Sequence, residues 1–177
     1  LSQEIYKEEL KRAMSWLSDQ SDTIFLGQSV LYEGTGLYDS LSHLPKEKRM
    51  EFPVAENFQL GFSIGLAING FVPISVYPRW NFLLSATDQV VNHLDKLFFM
   101  SDGQYNPKVI IRVAVGSVIP VDPQDQHKGN FSEAFSLMCK NIDIVEAFTP
   151  EKIFEAYKYA YNNNKSTIIV ESSDYGK

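Results

Sequence analysis

The feature that most constrains the fold is the continuous run rich in β-branched residues Lys108-Val109-Ile110-Ile111-Arg112-Val113-Ala114-Val115. A β-branched run with no polar alternation reads as a central strand buried on both faces, as parallel strands covered by helices are. The flanking segments supply those helices. Within residues 3–19, Ile5, Leu10, Ala13, Met14 and Leu17 recur at helical spacing. Ser21-Asp22 then breaks the pattern before the short buried strand Thr23-Ile24-Phe25-Leu26-Gly27. A strand is predicted around Met50–Val54, a helix at about 57–69, a strand over Val72–Tyr77 and a long helix over Ser85–Phe99. Helices near 131–139 and 150–163 then alternate with strands near Ile142–Ala147 and Ser166–Glu171, leaving 31–48 and 117–130 as loops. Strands alternating with helices of this length predict an α/β fold, a parallel sheet with helices on both faces. Ligands in such sheets sit beyond the carboxyl ends of the strands, here in the loops after Leu26, Val54, Tyr77 and Val115.

Composition narrows the partners. The 177 residues, 44% of them hydrophobic, suit one globular domain spanning 1–177. With 16 basic against 22 acidic residues the formal charge is -6, and no basic cluster is denser than Lys46-Glu47-Lys48-Arg49, so neither nucleic acid nor an anionic membrane is an expected partner. The single cysteine, Cys139, excludes an internal disulfide framework and reads as a buried thiol in a reducing compartment, with cytoplasm as the default. The N-terminal segment Leu1 to Trp16 is charged and amphipathic, unlike a leader, and no stretch has the length of a membrane span.

Phe52-Pro53-Val54-Ala55-Glu56, followed by the glycine-containing helix Asn57 to Gly70, carries a family resemblance. It continues through Pro73-Ile74, Trp80-Asn81-Phe82, Thr87-Asp88-Gln89-Val90-Val91-Asn92, Phe98-Phe99-Met100-Ser101 and Val109-Ile110-Ile111-Arg112. In this order and spacing the chain resembles the pyrimidine-binding domain of the transketolase and 2-oxo-acid dehydrogenase beta-subunit family of thiamine-diphosphate enzymes. The resemblance implies the parallel sheet fold of that domain and a cofactor, thiamine diphosphate. It implies that Glu56 hydrogen-bonds a ring nitrogen of the aminopyrimidine and so promotes loss of the thiazolium proton. That role needs a carboxyl that is protonated, or shares a proton, near neutral pH, which an apolar surround of Pro53, Val54 and Phe58 would favour. Without the family context, Glu56 reads first as a solvated carboxylate at a helix N-terminus, stabilised by the macrodipole.

By the same resemblance Phe82 stacks on the pyrimidine, with Trp80 and Val54 lining the same pocket, and His127 faces the substrate, where its near-neutral titration suits proton transfer. Arg79, where the family carries a small or uncharged residue, faces solvent or an anionic substrate group. His43 and His93 read as surface or capping groups. Gly61 and Gly65 leave one helix face without side chains, for close packing across a subunit interface or on the chain's own sheet.

Two departures matter. Gln28-Ser29 replaces an acidic pair usual in the dehydrogenase beta subunits, and the C-terminal domain of those subunits has no counterpart here. Ser101-Asp102-Gly103 and Asn130 mimic the family's diphosphate motif but fall after the wrong elements. The resemblance therefore implies a split enzyme acting on a 2-oxo acid or ketose. A separate diphosphate-binding subunit would hold Mg2+, the assembly would be a hetero-oligomer such as a heterotetramer, and the chain would be active only within it. A catalytically silent interaction subunit of the same fold is the alternative, against which retention of Glu56 argues.

Overall fold

The computed structural model describes residues 2–116, 118 and 122–174. Six strands form one sheet: β1 (Thr23–Gly27), β2 (Arg49–Glu51), β3 (Val72–Val76), β4 (Ile110–Val115), β5 (Ile142–Ala147) and β6 (Ser166–Ser172). All neighbouring pairs are parallel, in the order β2-β1-β3-β4-β6-β5. Three helices, α1 (Ser2–Ser18), α2 (Gly36–Leu41) and α7 (Pro150–Asn162), close one face, where Leu10, Met14 and Tyr157 meet Phe25, Ile74 and Ile169. The other face carries α3 (Glu56–Ile68), α4 (Trp80–Leu83), α5 (Leu97–Met100) and α6 (Ser132–Met138). There Leu60, Trp80, Val90 and Phe135 meet Ile111, Val113 and Ile168. Successive residues of β4 thus serve opposite cores, the arrangement its continuous β-branched run predicts. The parallel sheet with helices on both faces is present.

Several boundaries differ from the sequence expectation, each for a local reason. In α1 the exposed residue is Ile5, and Tyr6 fills the core position instead, its hydroxyl donating to Ala147 O at 2.7 Å. The second strand stops at Glu51 rather than Val54, because Pro53 has no N–H to continue the ladder. The loop 31–48 contains α2, whose N-cap Thr35 accepts from Tyr38 N at 3.1 Å. The helix expected over Ser85–Phe99 begins at Trp80 and is irregular, passing through a 3-10 turn at Leu84–Ala86 and a π-helical stretch at Gln89–Leu94 before α5. The irregularity delivers Asp95, fully buried, to the backbone N–H groups of Lys140 and Asn141, each at 2.7 Å, and to Lys96. A buried carboxylate persists only with such partners. The loop 117–130 ends in a 3-10 turn at Gln124–His127, while Ser117 and Pro120 lie outside the described residues.

The sheet order fixes where a ligand crevice lies. The chain leaves β1 toward β2 and then crosses back to β3 on the other side, so the path reverses between β1 and β3. The carboxyl ends at such a reversal are where open α/β sheets bind ligands.

Candidate functional site

β1 and β3 approach closely at this reversal because β1 ends in glycine. A Cβ on Gly27, whose φ is +154°, would lie 2.3 Å from Val76 O. Beyond it, both oxygens of Glu51 accept backbone N–H groups, from Ser29 at 2.7 Å and Leu31 at 2.8 Å, holding a turn in which Ser29 adopts a left-handed φ of 60°. That turn aims Gln28 at α3, where its Nε2 donates to Glu56 Oε1 at 3.2 Å.

Glu56 is the first residue of α3, and the helix start is tied to the end of β3 from below. Gln59, one turn on and fully buried, donates from Nε2 to Ser75 Oγ at 3.1 Å and Val76 O at 3.0 Å. Tyr77 donates its hydroxyl to the backbone carbonyl of Glu56 at 3.3 Å and accepts from Ser75 Oγ. Burial, opposed by the Ser75 bond and reinforced by the Glu56 carboxylate, pushes the Tyr77 phenol well above its ordinary range, so it stays a donor. Among the described residues Glu56 Oε2 accepts no hydrogen bond, so the half-buried carboxyl offers one oxygen to a ligand. A flat heterocycle with a ring nitrogen fits that geometry. The apolar surround expected from Pro53, Val54 and Phe58 is not formed within this chain. All three are exposed, Val54 at 79%, because the 52–55 turn stands at the rim of the sheet with no element over it.

A second pair lies on the segment after β3. The ring of Phe82 meets that of His127 edge to face, with centroids 5.1 Å apart and planes at 62°. Both residues are half-buried, and His127 Nδ1 is buried without a hydrogen-bond partner among the described residues. Arg79 is half-buried rather than free in solvent; its Nη1 donates to Gly116 O at 2.8 Å and His127 O at 3.2 Å. Trp80 is not at a pocket wall. It is fully buried, packing edge-on to Phe131 and Phe135, because the residue two before Phe82 on this short helix turns toward the sheet. No hydrogen bond or ring contact joins Glu56 directly to Phe82 or His127 among the described residues; α3 and α4 are packed neighbours.

No family model matches the chain. It is 28% identical over 170 residues to the mitochondrial pyruvate dehydrogenase E1 component subunit beta of Saccharomyces cerevisiae, a match covering 94% of this chain and 46% of that protein. The corresponding protein of Ascaris suum is 25% identical over the same span, again with 94% and 46% covered. The chain is a homologue of these beta subunits. It spans about half the length of the curated relatives it matches. Among solved structures, a split gene transketolase described as an inactive beta4 tetramer superposes with a TM-score of 0.73, covering 94% of this chain and 51% of that one. At 15% identity this likeness establishes a shared fold.

The remaining sequence features of this beta-subunit homologue sort by geometry. Ser101-Asp102-Gly103 closes the C-terminus of α5. Gly103 N donates to Phe98 O at 2.8 Å, with Asp102 left-handed at φ 50°, while Asn130 bonds Glu146. His43 accepts or donates at Ser15 Oγ, 2.8 Å away, and His93 lies 3.4 Å from Asp88 on the surface. Gly61 has the Gln89 side chain 3.5 Å from where a Cβ would sit, whereas nothing approaches Gly65 within 4 Å. Packing on the chain's own sheet therefore does not account for Gly65. Its helix face is bare and carries the exposed Phe58, Phe62 and Ile68. No helix among the described residues is long and apolar enough to cross a membrane.

Sequence reasoning missed the supporting polar groups, Tyr77, Gln59 and Glu51, and the bond from Gln28. Gln28 and Tyr77 directly follow β1 and β3, so their places at the reversal point were the available signal. Gln59 carried one too: an amide on the apolar side of a helix.

Proposed function

We propose that residues 1–177 form a single pyrimidine-binding domain of a split thiamine-diphosphate enzyme acting on a 2-oxo acid or a ketose, completed by a separate diphosphate-binding subunit that holds Mg2+. The observation that carries this reading is Glu56 at the head of α3. It stands at the point where the sheet order reverses, one oxygen engaged by Gln28 and the other open. When bound, thiamine diphosphate supplies a thiazolium carbon acidic enough to become a nucleophile toward a carbonyl. The chain's residues do the rest. Glu56, protonated, donates from Oε2 to the aminopyrimidine ring nitrogen, while Gln28 keeps Oε1 occupied and so fixes which oxygen carries the proton. Phe82 supplies a ring face for the pyrimidine, and Val54, exposed at the rim, an apolar contact. His127, with Nδ1 unpartnered, handles a proton on the substrate side.

Exposure of Pro53, Val54 and Phe58 supports a site finished by another subunit, since an apolar surround for Glu56 is otherwise missing. The bare stripe at Phe58, Phe62, Gly65 and Ile68 supports α3 as the assembly surface of a hetero-oligomer, in the simplest case a heterotetramer. The split gene transketolase beta4 tetramer is described as inactive, and inactivity alone is the expectation here too. Free, buried Cys139 fits a reducing compartment, either cytoplasm or, as for the mitochondrial relatives, mitochondria. Isothermal titration of thiamine diphosphate with Mg2+ tests the reading. Heat of binding is expected only when the chain is mixed with a diphosphate-domain subunit. Equal binding to the chain alone contradicts a split site, and no binding in the mixture favours the silent interaction subunit.

A further inference from the structure

Every hydrogen bond of the Arg79 guanidinium that the structure records is to main chain, with the Asp122 carboxylate near enough to feel its charge. Its Nη1 reaches Gly116 O at 2.8 Å and His127 O at 3.2 Å, so one nitrogen holds both ends of the stretch between β4 and the 3-10 turn Gln124–His127. The next residues on the same segment add to the tether. Asn81 Oδ1 accepts from Gly129 N at 3.3 Å, and Phe82 meets the His127 ring at 5.1 Å. Within the turn, Lys128 pairs with Asp122 at 2.9 Å, and Asp122 Oδ1 also accepts from Gln124 N. The side chain of His127 itself has no hydrogen bond to fix it among the described residues, since its Nδ1 is unpartnered. Among the described residues the ring contact recorded for it is with Phe82.

We propose that Arg79 is a positioning residue that sets the His127 ring against Phe82 by clamping the backbone carbonyls of Gly116 and His127. A planar guanidinium suits two converging carbonyls in a way that a residue without donors cannot. The consequence for catalysis rests on the reading of His127 and Phe82 as site groups; the clamp itself does not.

The chain has three histidines, so NMR of their imidazole protons tests the clamp without cofactor, with His43 and His93 as internal controls. Phe82→Leu is expected to move the His127 ring signals alone by removing the neighbouring ring current. Arg79→Met is expected to move them at least half as far, and Arg79→Lys, which keeps a donor, to restore most of the parent position. His127 signals unmoved by Arg79→Met overturn the proposal. So does movement of His43 and His93 in that variant, which would mean general rather than local support. In the assembled enzyme Arg79→Met is expected to lower kcat roughly 10- to 100-fold, the scale of a misplaced group. Unchanged kcat with a displaced His127 would leave the clamp standing and remove His127 from the proposed function.

Discussion

The two faces of the sheet are finished to different degrees. Beneath α1, α2 and α7 the core is closed, and the Arg112 and Glu171 charges buried in it pair with each other. Arg112 reaches Glu171 through two bonds of 2.9 and 3.0 Å and Ser40 Oγ at 2.9 Å, and Tyr157 donates to Glu171. Above the opposite face α3 turns inward with Leu60 and Ile64 but leaves Phe58 61% exposed and Phe62 37% exposed. With Phe52 they form a cluster of tilted rings whose centroids lie 5.2 to 6.3 Å apart. Glu56 sits at the head of that unfinished face. The contrast teaches that both faces bury a core, but only the α3 face ends in a border that another surface would complete, and the proposed chemistry lies at that border.

The largest expected effect breaks the closed side. Arg112→Met strands Glu171 as an uncompensated buried carboxylate and should cost about 3–5 kcal/mol, read as a lowered urea midpoint; a loss below about 1 kcal/mol would mean that water already reaches the pair. A second effect sharpens the comparison through pH. Burial, and secondarily Asp95, push the Cys139 thiol up to about 11. A folded-state value above the unfolded one leaves its contribution intact below the unfolded value and lost as pH rises through the folded one. Stability should therefore fall between roughly pH 9 and 11, and Cys139→Ala should flatten that slope; an unaltered slope assigns it elsewhere. The smallest effect on stability is expected on the open side. Phe58→Ser should change the chain's own unfolding free energy by no more than about 0.5 kcal/mol while weakening its assembly in sedimentation. A large loss of chain stability with assembly intact would reverse the assignment of the two faces.

The sequence made the backbone of this arrangement legible where periodicity is strong. The strands Thr23–Gly27 and Ile142–Ala147 coincide with their expected spans, and α7 with its expected span to within a residue. α2 escaped because six residues carry too little periodicity to register, and its Thr35 cap was the only signal. Ile5 and Tyr6 exchanged roles because adjacent positions differ by about 100° around a helix, and only packing against β5 selects between them. Glu56, Phe82 and His127 are expected at the site through resemblance alone, and the pairing of Phe82 with His127 is visible only in three dimensions. Arg79 and Trp80 were misplaced for a common reason. Whether a side chain on a short helix turns outward or inward depends on contacts with residues 37 to 55 positions away, which no local pattern encodes.

The central claim is that Glu56 activates a cofactor completed by another subunit, and its most direct test is the rate of hydrogen–deuterium exchange at the thiazolium carbon of thiamine diphosphate. It would be followed by NMR in the chain mixed with a diphosphate-domain subunit and Mg2+. Exchange is expected to be fast in the mixture, slow with either subunit alone, and slowed by roughly 10²- to 10⁴-fold in Glu56→Gln. Exchange as fast in Glu56→Gln as in the parent mixture would contradict the account.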